Sequence, residues 1–366
     1  MKFVSGDRIF FALVLSLSLA GLAIFSSAAL GLLARESSSV SKDILLQSGL
    51  GLGFGLLALL AARTISLAWV KRAAPYLFGA SLLFTALVFV PGIGFHSGGA
   101  TRWINLGFTT VQPSEFLKIG FVLVLAWWLA PRARQLANPK IGIIPFSVIL
   151  ALPSVLLLVQ PNTSTTLLII ITGAVMYFVA GAPWRDFGIL VLVAIIALGT
   201  IVVARPYVRD RIVTFMNPSE NSLSKGYQIQ QSLIAIGSGG LMGRGLGQSA
   251  EKFNYLPEPD GDSVFAVFAE EAGFLGAAIL IALFVALAAR GIVIAGNSHD
   301  LFGGLVALGF SFIIILQAFI NICAMLSIIP LTGLPLPFVS HGGTALMAVL
   351  LMCGLVLNVA AHRRSA

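Results

Sequence analysis

The sequence predicts an all-α polytopic membrane protein with about ten transmembrane helices and a long extracytoplasmic loop between the seventh and the eighth. Three observations carry that prediction. Of the 366 residues, 58% are hydrophobic and 10% charged, and the mean hydropathy is +1.00; soluble domains carry roughly one quarter charged residues. Apolar runs recur along the chain, long enough to cross a hydrocarbon core about 30 Å thick, which takes about 20 helical residues. The basic residues are shared unevenly between alternate connections, as they are when one side faces the cytoplasm. Together these exclude a soluble fold.

The runs lie near 9–34, 44–62, 73–91, 114–130, 141–160, 164–181, 187–204, 263–289, 301–327 and 341–361. The first follows Lys2 and Arg8 as a secretory signal would, but it outlasts the roughly 7–15-residue apolar region of such a signal and nine more runs follow, so it reads as a retained helix. Cys323 and Cys353 both fall inside runs and read as small buried side chains, with no redox or metal framework. No internal repeat and no separate soluble domain is visible, so residues 1–366 read as a single membrane domain.

Placing the N-terminus in the cytoplasm puts Lys2, Arg8, Arg63, Lys71, Arg72, Arg132, Arg134, Lys140, Arg185, Arg290, Arg363 and Arg364 inside, twelve of the 22 basic residues. The short outer connections hold Arg35, Lys42 and Arg102. Both termini are therefore expected in the cytoplasm. The outer loop from 205 to about 263 breaks the bias with Arg205, Arg209, Arg211, Lys225, Arg244 and Lys252, but long loops are exempt from it. The net charge of +8 thus reflects anchoring to anionic headgroups and a basic outer loop, with no nucleic-acid module.

Chemistry must then come from the outer connections and the few polar groups among the helices. Pro113 and Glu115 suit the first turn of a helix entering from outside. Glu115 and Lys118, three apart, share a face there, either as an ion pair that settles two charges near the membrane or as a cation offered to an anionic group. Arg102, beside Trp103, reads as an interfacial anchor or a phosphate contact. The glycine-rich stretch Gly237 to Gly247 has neither dinucleotide nor phosphate-loop spacing and reads as backbone that bends sharply or packs close.

Leu256-Pro257-Glu258-Pro259-Asp260-Gly261-Asp262-Ser263 sets three carboxylates at the mouth of the eighth run. Asp260-x-Asp262 is open to three readings: a pair for a divalent cation such as Mg2+ or Mn2+, a general base whose pKa is raised by like charge and burial, or a solvated acidic turn capping the helix. Glu270, eight residues past Asp262, falls on roughly the same helical face and is expected to point into the same cavity. The segment from Pro330 to Gly343 holds too many breakers to be helical, and irregular backbone at membrane depth persists only when buried in protein or lining a polar cavity. Within it, His341 is either an acid–base group or a hydrogen-bonded structural histidine. His96, His299 and His362 read as loop or tail residues.

In this order the segments resemble the SEDS family of shape, elongation, division and sporulation proteins over nearly the whole chain. The most specific pieces are Gln112-Pro113-Ser114-Glu115-Phe116-x-Lys118, Tyr227-Gln228 through Gly247-Gln248-Ser249, Leu256-Pro257-Glu258 with Asp262, Phe265-Ala266-Val267-x-x-Glu270-Glu271-x-Gly273-Phe274, and Gly333 through Val339-Ser340-x-Gly342-Gly343. Val90-Pro91-Gly92-Ile93-Gly94 and Gln231 through Gly240 look closer to the family's division members than to its elongation members. The resemblance implies a bacterial cytoplasmic-membrane peptidoglycan glycosyltransferase that polymerises lipid II through β-1,4 bonds. It further implies release of undecaprenyl diphosphate, with a class B penicillin-binding transpeptidase and other divisome or elongasome proteins as partners. It puts the catalytic aspartate on Asp262 and makes Arg102, Glu115, Lys118, Arg205, Arg211, Gln231, Glu258, Glu270 and Ser340 candidates for substrate binding. Asp260 stands where the family usually has His, and His341 where Tyr is common. Asn162 and Ser164 replace an Asp and a Gly, so no role carries over to that turn. A lipid II flippase and a catalytically silent scaffold remain the alternatives.

Overall fold

The computed structural model describes residues 7–31, 47–97, 100–107, 110–204, 206–216 and 225–362. Helix α1 (Arg8–Ala29) starts at Asp7, whose carboxylate accepts the N–H of Phe10 at 2.9 Å. A π-helical stretch, Gln47–Gly53, leads into α2 (Phe54–Thr64), and Ser66 caps α3 (Leu67–Ala86). Strands β1 (Gly94–Ser97), β2 (Ala100–Asn105) and β3 (Thr110–Val111) make a small antiparallel sheet in that order, with Ile104 opposite both Gly94 and Val111. Then follow α4 (Pro113–Leu129), α5 (Ile143–Val159), α6 (Thr163–Val179), α7 (Trp184–Ala204), α8 (Pro206–Met216), α9 (Lys225–Ser238), α10 (Glu251–Asn254), α11 (Val264–Gly296), α12 (Leu301–Met325) and α13 (Gly343–Ala361).

The apolar runs all appear as helices, and six of the described ones are long and apolar enough to cross a membrane: α1, α3, α4, α11, α12 and α13. The edges correct the expectations in three places. α3 begins at Leu67 because Ser66 caps it, so Lys71 and Arg72 belong to the helix, not to a loop. α11 runs on to Gly296 and takes Arg290 with it, where that side chain pairs with Asp7 at 2.7 Å. The stretch expected as a loop between the seventh and eighth spans is largely helical in its described parts, as α8, α9 and α10.

Helices α4, α12 and α13 form the centre, most of their residues buried. Leu117, Phe121 and Leu125 of α4 and Phe310, Ile313 and Ile314 of α12 belong to one continuous core. The periphery is apolar too: Leu83, Ile195 and Ile279 are more than 60% exposed, a surface that lipid rather than water would cover. Cys353 is buried and Cys323 only partly so, and neither is bridged.

One discontinuity organises the end of the bundle that carries the acidic turn. At Gly273, φ +67°, α11 kinks, and two of its ladder bonds are replaced by four. The N–H groups of Phe274 and Leu275 donate to the carbonyls of Gly240 and Leu241 at 2.9 and 3.2 Å, while those of Arg244 and Gly245 donate to the freed carbonyls of Glu270 and Glu271, both at 3.0 Å. The glycine-rich stretch is thus a backbone partner for a broken helix. A β-carbon on Gly243, φ +81°, would lie 2.1 Å from the Glu271 oxygen. Gly243→Ala is therefore expected to lower the thermal midpoint in detergent sharply, by at least about 1–3 kcal/mol of stability. Gly237→Ala, whose β-carbon would meet nothing within 4 Å, should leave it nearly unchanged.

Candidate active site

The acidic turn ahead of α11 is tightly made. The N–H groups of Gly261 and Ser263 both donate to the Glu258 carbonyl, at 3.1 and 3.2 Å, with Glu258 held at φ +47°. Asp262 sits half-buried at its end. Its carboxyl is pushed up from the ordinary 3.8 to about 6, first by burial and next by the negative charge of Glu258; Arg211 and Arg102 oppose the rise, and Asp260 adds a little to it.

The breaker-rich segment after α12 closes over this turn, and side chains from other elements take up its backbone. Ser164 of α6 and Arg211 of α8 donate to the Thr332 carbonyl, the latter at 3.2 Å. A β-carbon on Gly333 would lie 3.4 Å from Asp262 Oδ2 and 3.7 Å from Arg211 Nη2, so this backbone lies against carboxylate and guanidinium together. Ser340 Oγ accepts the Leu336 N–H and donates to the Gly261 carbonyl, each at 2.7 Å. Gln47 holds the segment's end, donating to the Ser340 carbonyl and accepting from Gly342 N–H, each at 3.1 Å.

From beneath, α12 contributes two amides one helical turn apart. Asn321 Nδ2 donates to the carbonyls of Asp262 (2.9 Å) and Leu334 (2.7 Å), and Gln317 Nε2 donates to that of Pro335 (2.9 Å). Gln317 Oε1 accepts from Lys118 Nζ at 2.7 Å, and Lys118 pairs with Glu115 at 2.8 Å.

The expected site residues thus divide. Glu258, Asp260, Arg102 and Arg211 surround Asp262 electrostatically. Lys118 and Glu115 are brought near but are 1% and 3% exposed, so the ion-pair reading describes them better than that of an open cation. Ser340 braces the loop. Gln231 lies half-buried on α9, one turn from Gln228, which donates to Ser263 Oγ at 3.0 Å. Glu270 is a correction: its carboxylate accepts from Ser249 Oγ (2.6 Å) and Ala250 N–H (3.1 Å) and pairs with Arg244, because the kink at Gly273 engages that part of α11 with the glycine-rich stretch. Asp260 is turned to His341 Nδ1 at 2.9 Å rather than held beside Asp262 as a second ligand. No three His, Cys, Asp or Glu side chains among the described residues converge as a metal cage. Arg205 lies outside the described residues.

Sequence reasoning missed Gln317 and Asn321, although two amides at i and i+4 in a helix otherwise almost wholly apolar were a usable signal. It also passed over the turn between α5 and α6. Arg102 donates there to the carbonyls of Gln160 and Pro161, and Asn162 caps α6 by accepting the Thr165 N–H.

A family model described as a cell cycle protein, FtsW/RodA/SpoVE, matches residues 7–365. This chain belongs to the FtsW/RodA/SpoVE family. Among members of the FtsW/RodA/SpoVE family, stage V sporulation protein E of Bacillus subtilis is 40% identical over 278 residues, 76% of each chain. A probable peptidoglycan glycosyltransferase FtsW of Geobacter sulfurreducens is 35% identical over 315 residues, 86% of this chain and 84% of that one. Among solved structures, a chain of a peptidoglycan synthase complex coordinating polymerization and crosslinking aligns over 100% of both chains with a TM-score of 0.78 and 29% identity. The rod shape determining protein RodA of Thermus thermophilus does so with a TM-score of 0.72 and 30% identity.

Two stability measurements check this geometry. Glu115→Gln leaves Lys118 buried beside a neutral partner and is expected to cost about 3–5 kcal/mol, whereas Glu115→Leu with Lys118→Met should recover most of it; thermal denaturation in detergent reads both. Because the folded carboxyl of Asp262 titrates near 6 instead of 3.8, the folded protein holds more protons in that window. Stability therefore falls as pH rises through it, by at most about 3 kcal/mol. Asp262→Asn removes this residue's share of the slope, leaving that of Glu251, whose carboxyl burial also raises, so its thermal midpoint should exceed that of the unaltered protein at pH 8 and approach it at pH 4.

Proposed function

We propose that the protein is a peptidoglycan glycosyltransferase that polymerises lipid II at the outer face of the bacterial cytoplasmic membrane, with both termini in the cytoplasm and Asp262 as general base. The observation that carries this reading is a half-buried carboxyl pushed up to about 6 beside the guanidinium groups of Arg102 and Arg211. A base is most effective when its pKa lies near the working pH. Asp262 takes the proton of the acceptor sugar's 4-hydroxyl as that oxygen bonds to the anomeric carbon of the lipid-linked donor. The bond from that carbon to the diphosphate breaks with inversion, and the leaving group departs with the electron pair. Arg102 and Arg211 counter the charge that develops there.

An apolar groove of about 750 Å³ runs along α11 from Phe265 past Ala277 and Ile281 to Ala286, against Ile236 of α9. It starts one turn beyond Asp262 and suits a polyprenyl chain whose phosphates stand at the acidic turn. The names carried by the relatives support the activity, and the synthase complex supports a crosslinking partner, a class B penicillin-binding transpeptidase. The FtsW and SpoVE names among the relatives favour a role in division or sporulation, and other divisome or elongasome proteins would join the assembly.

Purified protein in detergent, where there are no leaflets to cross, should form glycan chains from lipid II. A lipid II flippase would form none. Asp262→Asn should lower the rate about 10²- to 10⁴-fold. In the unaltered enzyme kcat/KM should fall below about pH 6 by roughly tenfold per unit as the base is protonated. A near-normal rate for Asp262→Asn sinks the assignment.

A further inference from the structure

We infer that Gln317 and Asn321 are positioning residues for Asp262, holding the acidic turn at a fixed distance from the breaker-rich segment. The inference rests on Asp262 being the base. Both amides are almost fully buried, 3% and 1% exposed, on a helix whose only other buried polar side chain among the described residues is Ser311. Each donates to a carbonyl that has left regular structure, Pro335 for Gln317 and Leu334 for Asn321, and the same Asn321 nitrogen reaches the Asp262 carbonyl. One side chain thus ties the turn that carries the base to the segment that lies against its carboxylate at Gly333.

The second link fixes the height of the first. Gln317 is held by Lys118, which is held by Glu115, so the chain of contacts runs from a buried ion pair on α4, through α12, to the loop and the turn. Its links to the turn and the loop are made to backbone carbonyls, not to the Asp262 carboxylate. Its effect is on where the Asp262 carboxylate stands relative to the charges around it: Glu258 and Asp260 on its own turn, Arg211 on α8, Arg102 on β2, and His341 through Asp260. Displacement by about 1 Å can cost on the order of a hundredfold in rate.

The test uses the full-length protein in detergent, unaltered and as Asn321→Leu and Gln317→Glu. Gln317→Glu adds a carboxyl near Asp262, so Gln317→Met, neutral and of similar length, is measured beside it to remove the donor to Pro335 without a new charge. Two readouts are taken: the inflection of the thermal midpoint against pH, which reports Asp262 without activity, and kcat, KM and the acidic limb for lipid II polymerisation. The expected result is an inflection and limb displaced together by about half a unit or more, with kcat down about tenfold or more and KM within about threefold. An inflection in place, or rates within about threefold of unaltered, overturns the inference. If Asn321→Leu does not fold, Gln317→Met decides alone. If the unaltered protein forms no glycan, the functional reading fails, and the inflection still decides the positioning role.

Discussion

Hydrocarbon offers no hydrogen-bond partner, and the arrangement around Asp262 follows from that constraint. Two stretches of irregular backbone sit among these helices, the kink in α11 and the segment between α12 and α13. Every carbonyl they release must be met by protein. The kink is met by backbone alone, since the glycine-rich stretch approaches near enough for strand-like exchange of bonds. The second segment is met by side chains drawn from α6, α8, α12 and the π-helical turn before α2. What looks like a reactive site is, from the chain's standpoint, the place where the remaining backbone obligations are discharged.

The same economy shapes the charges. Lys252 and Glu271 form a buried ion pair at 2.6 Å with Ser27 bridging them, and Lys118 pairs with Glu115. Each leaves no net charge to desolvate, and each reaches a distant helix through a polar neighbour, Ser27 of α1 for the first and Gln317 of α12 for the second. Asp262 stands apart: burial and another anion act on it most strongly, with cations only partly offsetting them. That imbalance is unfavourable for folding and useful for proton transfer.

How much of this could be read from the sequence depended on which interaction was at stake. The spans were legible because hydrophobicity along one helix is a local property. The glycine-rich stretch was recognisable as close-packing backbone, yet its partner, a helix break some thirty residues on, was not, because a single glycine is common within helices and this one kinks through bonds exchanged with residues 240–245. The acidic turn was legible as a cluster of carboxylates at a helix mouth, while Asp262 was singled out within it by the family resemblance alone. Glu270 misled, because the eight-residue spacing assumes an unbroken face, and that part of α11 turns instead to Ser249 and Arg244. The sheet at 94–111 and the helices within the long connection also escaped notice, being short elements set by what they pack against.

The kink in α11 also acts as a ruler. At 1.5 Å per residue its 33 residues would extend about 50 Å, far beyond the hydrocarbon. The part after Gly273 alone spans about 35 Å and suffices for a crossing. The short piece before it is surplus to that need; it is bonded through its end to the glycine-rich stretch and carries the acidic turn at its start. A bond exchange in the backbone thereby sets the position of a side chain about three turns away.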